Sequence, residues 1–505
     1  VIADRDLDIS QPYTKEDLDI PFSVVQDLLL RRTMADDLVT TTSLSRALGL
    51  SRRIIEAAFD NLRDRKALDV RTMQGNDYVF SLTALGKEMC RDAERRSRYN
   101  GIAPVAIETY QTAVAVQRAQ IKVNRRDMAE AMKDLVVAPE MLDQLGPAFN
   151  SQHTIFFYGP AGTGKTSLAE RLVRLYGDWI VVPHAILVDS QFVVVLDPTV
   201  HEPLPVQPDG LDPRWVACRR PLVTVGGELD ASMLELQFDQ TGRVYQAPLQ
   251  VKANNGMMLI DDFGRQVLTP RQLLNRWIYP LAKRRDYLTL NNGHKFAMPF
   301  ELMVAFSTNL DPNDLGDEAF FRRIQNKVYV GPMTPPMFDR ILMNCVRAVG
   351  VRLQPNSFEL LRETCLERDA VGLRANYPGD FCRMIGSIAE YEESVPVLDE
   401  RMLSMASDLY WGAADTSVDA RPSRPEAVSA PAHAPGRPPV SPEEADIERL
   451  VHPLVPRPTP SHQTPPHQVG GSSAPPLLLP KRVPQSGTIA AAAGMRPPAA
   501  PAELD

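Results

Sequence analysis

At 505 residues and a formal net charge of −8, the chain is longer than one hydrophobic core usually serves and too acidic for a general pull toward nucleic acid. Its 44% apolar and 23% charged composition is that of an ordinary soluble globular protein, so two or three domains are expected. The five cysteines, Cys90, Cys218, Cys345, Cys365 and Cys382, never form a Cys-x-x-Cys pair, which argues against a zinc or redox motif and for buried thiols in a reducing compartment.

The first twenty residues are rich in Asp and hold no apolar run, and no stretch is long enough to span a bilayer. A cytoplasmic protein with no membrane partner is the expectation. Residues 1–100 form the first region. Val24, Val25, Leu28 and Leu29 recur at helical spacing, Ser43 to Leu48 reads as a second helix closed by Gly49, and Ser51 caps a third carrying Ile54, Ile55, Ala58, Phe59 and Leu62. Two strands, Ala67 to Thr72 and Asp77 to Leu82, follow around Gln74-Gly75-Asn76, and a last helix closes the region. The order resembles a winged helix, with the third helix as recognition element and Arg52 and Arg53 at its exposed end. Glu56, Asp60 and Asp64 share that helix, so DNA contact and protein docking both stay open. Residues 101–152 read as a helical connector, periodic over Val114 to Ile121 and Met128 to Leu135.

The region 153–332 carries the chemistry. Thr154-Ile155-Phe156-Phe157-Tyr158 reads as a buried strand leading into Gly159-Pro160-Ala161-Gly162-Thr163-Gly164-Lys165-Thr166, after which Leu168, Leu172, Leu175 and Tyr176 mark a helix. Strand, glycine loop and helix come in the order a phosphate-binding loop requires. Glycines let backbone N–H groups converge on phosphate oxygens, and the helix start adds partial positive charge. Lys165 is suited to reach the β- and γ-phosphates, Thr166 to offer its hydroxyl to Mg²⁺, and Ser167 continues the nucleotide-binding run. Met257-Met258-Leu259-Ile260-Asp261-Asp262 supplies the carboxylate strand, expected beside the first. Asp261 is read in the Mg²⁺ shell and Asp262 as the group polarising the attacking water.

Together these motifs resemble the AAA+ ATPases over roughly Asn124 to Trp411. The resemblance implies a sensor residue, Asn309, at the end of Leu302 to Thr308, and a finger segment, Glu318 to Ile324, in which Arg322 and Arg323 reach the nucleotide of a neighbouring subunit. It also implies a ring, most often a hexamer, with ATP and Mg²⁺ as ligands. Residues 333–411 resemble the family's helical lid, with helices near Pro336 to Val349, Phe358 to Leu366 and Pro378 to Glu390. The family's second sensing arginine falls where this chain has Pro378-Gly379-Asp380, so Arg374 or Arg383 must substitute or the contact is absent. The second carboxylate, usually Glu, is Asp262.

Two further features depart from a minimal core. An excess over about Val182 to Leu222 holds a hairpin, Ala185 to Val188 and Phe192 to Leu196 around Asp189-Ser190-Gln191, and a proline-rich loop. A second hairpin, Tyr287 to Leu290 and Lys295 to Met298 around Asn291-Asn292-Gly293, resembles the MoxR-like branch. Residues 412–505 hold nearly half of the 44 prolines and are expected to be disordered.

The fold class expected is thus α/β: a three-layer P-loop NTPase (AAA+) core with a helical lid, an N-terminal winged helix and a disordered tail. The expected function is an ATP-hydrolysing ring that remodels or assembles an unknown protein client, chaperone-like. The alternative is a DNA-associated regulator in which ATP acts as an assembly switch. Phosphoryl transfer to a small molecule leaves Asn309, the paired arginines and the lid without a role.

Overall fold

A computed structural model describes residues 9–75, 77–311 and 324–412. The first elements are α1 (Phe22–Asp36), β1 (Val39–Thr40), α2 (Thr41–Leu48), α3 (Arg52–Asp64), β2 (Leu68–Gln74), β3 (Asp77–Leu82) and α4 (Ala84–Arg96). Thr40 and Ser51 cap α2 and α3 by accepting the N–H groups of Ser43 and Ile54, and Gly49, at φ 67°, ends α2 in the left-handed region that glycine adopts without strain. The apolar stripe of α3 buries Ile54, Ile55, Ala58, Phe59 and Leu62 against α1, α2 and Phe80, and β1-β3-β2 form an antiparallel sheet. This is the expected helix, helix, helix, hairpin, helix order.

The connector differs from its reading. Helix α5 (Ile107–Val116) ends before Ile121, α6 (Arg125–Ala131) stops short of Leu135, and α7 (Pro139–Asn150) was not foreseen. Asn124 caps α6 through the N–H groups of Arg126 and Asp127, and Pro139 opens α7 at a position where a missing N–H costs nothing.

Five parallel strands make the central sheet: β5 (Ile155–Tyr158), β10 (Leu222–Val225), β13 (Met257–Ile260), β16 (Met303–Thr308) and β17 (Asn326–Tyr329), in the order β10-β13-β16-β5-β17. Alternation along each strand feeds two cores. Ile155, Phe157, Met257, Leu259, Met303 and Ala305 pack with α6, α7 and α8 (Lys165–Leu172) on one face. Phe156, Met258, Ile260, Val304 and Phe306 pack on the other face with α10 (Pro270–Lys283), through Leu273, Leu274 and Trp277; the single-turn α9 (Leu249–Lys252) lies between β10 and β13 in sequence. Two helical layers sandwiching a parallel sheet is the three-layer α/β arrangement that fully apolar strands require. The carboxylate strand β13 is not next to β5 as expected. The sensor strand β16 lies between them, paired to both.

The excess over Val182 to Leu222 is part of a larger second layer. Strands β6 (Trp179–Pro183) and β9 (Trp215–Arg219) pair antiparallel, while β4 (Val105–Ala106), β7 (Ala185–Val188), β8 (Gln191–Val194), β11 (Gln237–Asp239) and β12 (Val244–Gln246) form a sheet ordered β11-β12-β8-β7-β4. The β7–β8 turn is the two residues Asp189 and Ser190, both at positive φ, one residue shorter than read. The inserted chain leaves the core twice, because β10 returns to the central sheet before β11 departs again. The second hairpin, β14 (Arg285–Thr289) and β15 (Lys295–Pro299), buries Leu288, Phe296 and Met298 in this same layer.

The N-terminal unit is joined to that layer. Leu187, Phe192 and Val244 lie in its core, Tyr99 stacks on Phe192 with centroids 4.8 Å apart, and buried Arg214 pairs with Asp212 and Asp19. Beyond β17 come α11 (Pro335–Val349), α12 (Ser357–Arg368), α13 (Tyr377–Tyr391) and α14 (Glu400–Trp411), the last unforeseen, around Phe338, Leu361, Phe381 and Leu403. Among the described residues no helix is long and apolar enough to cross a membrane. The segment 413–505 lies outside the described residues.

Candidate functional site

The loop from Gly159 to Gly164 leaves β5 and turns into α8, with Gly159, Gly162 and Gly164 at φ 137°, 76° and 93°. A Cβ on Gly159 would sit 2.4 Å from the Val330 carbonyl, and one on Gly162 would sit 2.2 Å from Asn376 Oδ1, so close packing as well as φ demands glycine there. The Thr163 hydroxyl donates to the Pro160 carbonyl at 3.0 Å and braces the loop from within.

Lys165 opens α8 and is 6% exposed. Its ammonium donates to the carbonyls of Gly159 (3.0 Å) and Pro160 (2.8 Å) and to Asn309 Oδ1 (2.7 Å). Burial pushes the ammonium below its ordinary range; the nearby Asp261 and Asp262 carboxylates pull it back up, and the Arg374 guanidinium pushes it down. Thr166 donates its hydroxyl to both carboxylate oxygens of Asp261 at 2.9 Å. A hydroxyl facing a carboxylate is the oxygen donor set a small hard cation takes.

Asp262 follows at φ 47°, in the left-handed region where Asp and Asn are tolerated and longer side chains rarely sit. Asn309, just past β16, donates through Nδ2 to Asp262 Oδ1 at 3.2 Å while its Oδ1 receives Lys165. One side chain thus ties the loop lysine to the second carboxylate. Residues from the ends of β5, β13 and β16 therefore meet in one cleft of about 830 Å³, which Ser167 also lines. Leu135, Val137, Met141, Met337 and Ile341 give the same cleft apolar lining.

Several contributors carried no motif. Gln266 donates to the Asp261 carbonyl and accepts from Gly264 N–H, both at 2.8 Å, and Thr308 donates to the Phe263 carbonyl at 2.6 Å, bracing the turn that carries both carboxylates. Asn376, before α13, donates its backbone N–H to the Gly162 carbonyl at 3.1 Å. Of the two arginines considered for the lid contact, Arg374 donates to the Ala161 carbonyl at 3.1 Å while held by Asp369; Arg383 is exposed and paired with Asp380. Arg322 and Arg323 lie outside the described residues.

The family model described as a domain of unknown function (DUF8689) matches residues 334–409, the stretch from the start of α11 into α14. No curated protein matches. Among solved structures, NtrX from Brucella abortus in complex with ATP overlaps at 12% identity and a TM-score of 0.36, covering 64% of this chain and 64% of that one, so the chain spans just under two thirds of NtrX. The Thermotoga maritima RuvB Holliday junction branch migration motor overlaps at 10% identity and a TM-score of 0.31, covering 58% of this chain and 72% of that one. At these scores the overlaps fix neither an activity nor a partner.

Proposed function

We propose that this chain is an ATPase of the AAA+ kind, which binds ATP with Mg²⁺ in the cleft between the glycine loop and the helices after β17, and uses turnover in a ring to remodel or assemble a protein partner. The observation that carries this reading is the convergence of Lys165 and Thr166, at the start of α8, with Asp261, Asp262 and Asn309, just past the ends of β13 and β16, on one cleft with apolar side chains in its lining. The glycine loop and Lys165 would hold the phosphates, and the apolar lining suits a heterocyclic base. Thr166 and Asp261 would hold Mg²⁺, which when bound neutralises charge on the phosphate oxygens. Asp262, steadied by Asn309, is placed to accept a proton from water, and Lys165 is free to trade its Asn309 contact for phosphate oxygen. Ring assembly and the roles of Arg322 and Arg323 belong to the proposal on the strength of the sequence alone.

Lys165→Ala is expected to abolish binding of a fluorescent ATP analogue and phosphate release together; unchanged turnover in that variant refutes the assignment. Asp262→Asn should keep nucleotide while slowing release by at least about a hundredfold, and the protein trapped with ATP is the form in which to seek a client. The DNA-regulator alternative has less support, because the arginines of α3 and the hairpin beyond it are engaged by carboxylates or rings.

A further inference from the structure

Helix α10 and the β14–β15 hairpin stand apart from the rest of this acidic chain. Between Pro270 and Pro299 the cations are Arg271, Arg276, Lys283, Arg284, Arg285 and Lys295, and the one carboxylate, Asp286, is 1% exposed and bound to Arg276. Arg284 is turned inward, donating to the carbonyls of Leu302 and Gln152. The remaining four, Arg271, Lys283, Arg285 and Lys295, are exposed, and among the described residues none of them makes an ion pair. Of the carboxylates beside these elements, Glu235 pairs with Arg276, Glu301 pairs with Arg118, and Asp189 accepts from Asn292 at the hairpin tip.

Strand alternation sets this face. Asp286, Leu288 and Leu290 point into the inserted layer, so Arg285, Tyr287 and Thr289 point out, with Lys295 across from Thr289. On α10, Arg271, Asn275, Tyr279 and Lys283 recur at intervals of four and are all exposed, forming a strip on the order of 20 Å long beside the hairpin. Tyr279 and Tyr287, 46% and 39% exposed, meet with ring centroids 5.8 Å apart, and Lys295 lies 5.3 Å from the Tyr287 centroid.

We propose that this face binds single-stranded nucleic acid, with Lys283, Arg285 and Lys295 following the phosphates and Tyr279 and Tyr287 offering ring surface to unpaired bases. Unpaired cations without neighbouring carboxylates select a polyanion. Exposed aromatic rings among them favour bases over carboxylates, and single strands over duplex, because only unstacked bases present a face to a ring. This goes beyond the ATPase reading and stands on residues outside the nucleotide cleft.

The test is fluorescence anisotropy of a labelled oligothymidylate with the full chain at low salt. Affinity should fall steeply with added salt, and a matched duplex should compete poorly. Tyr279→Ala with Tyr287→Ala should weaken binding by at least about tenfold, and Lys283→Gln with Arg285→Gln and Lys295→Gln by more. The second set is exposed and guards against a folding defect in the first, and phosphate release from ATP should persist in both. No binding at low salt overturns the proposal. So does equal competition by duplex, or by polyglutamate with affinity insensitive to the tyrosines, which would assign the face to an acidic polypeptide.

Discussion

Helix α3 and the α10–hairpin face carry similar numbers of cations and differ in what those cations touch. On α3 and the hairpin beyond it, Arg52 contacts Glu56 at 2.7 Å, Arg63 contacts Asp60 at 3.1 Å, Arg71 contacts Asp69 at 3.2 Å, and Arg53 lies over the Tyr13 ring. Three of those four guanidiniums meet carboxylates, and Arg53 meets a ring. On the α10–hairpin face four cations make no ion pair among the described residues, and two tyrosines stand exposed among them. The helix that the sequence leads one to expect as a recognition element has most of its cations paired, while a surface without a recognised motif does not. Pairing in space, and not the count of Lys and Arg, decides which face attracts a polyanion.

The strongest test of what paired charge does here is at Arg214, which is 5% exposed on its side chain and joins Asp212, Asp19 and the Pro104 carbonyl across the seam between the N-terminal unit and the inserted layer. Arg214→Ala leaves two carboxylates without their cation. Burial pushes the Asp212 carboxyl above the ordinary carboxylate range despite Arg214, and without the guanidinium the backbone N–H at position 214 still donates to it. The expected loss is roughly 3–5 kcal/mol of stability by urea denaturation; a loss under about 1 kcal/mol would mean the seam is looser than drawn.

A smaller effect is expected at Asp369, which the Arg374 guanidinium, with Tyr377 and the Val371 N–H, holds down to about 2. Its folded value lies below the unfolded value near 4. The pair therefore contributes its full share, about 2 kcal/mol, above pH 4, and loses it as pH falls from about 4 to 2. Asp369→Asn should remove that slope, so that wild type and variant converge in stability at the acid end. Parallel pH profiles would place the Arg374 anchor elsewhere.

The sequence made the nucleotide cleft legible because strand, glycine loop and apolar run ending in acids are local signals, each readable without knowing the fold. Lys165, Thr166, Asp261, Asp262 and Asn309 meet on one cleft. The insertion of β16 between β5 and β13 was hidden, since parallel pairing is set by contacts distant in sequence. Gln266, Asn376 and the Arg374 contact with Ala161 act through backbone carbonyls and N–H groups, which leave no mark on residue type. The second layer was underestimated because β11 and β12 are three residues each, too short to show a period. The α10–hairpin face was read only as a hairpin signal, because the absence of carboxylates becomes visible once Asp286 is seen to be buried.

The smallest predicted change in stability gives the sharpest test of the comparison. The side chains of Glu56 and Asp60 are about half exposed, so Glu56→Gln with Asp60→Asn removes only surface pairs and should shift stability by no more than about 1 kcal/mol. The same pair of substitutions takes Glu56 from Arg52, which keeps its Asp77 contact at 4.0 Å, and Asp60 from Arg63, which keeps Asp64 at 3.8 Å. If pairing is what silences this helix, duplex DNA should be retained at low salt by the variant and not by the wild type, and Arg52→Ala with Arg53→Ala should abolish the gain. Wild-type protein that already holds duplex DNA, and loses it on changing Arg52 and Arg53, would reverse the contrast and return the recognition role to α3, since cations that bind phosphate despite their carboxylate neighbours were never neutralised by them.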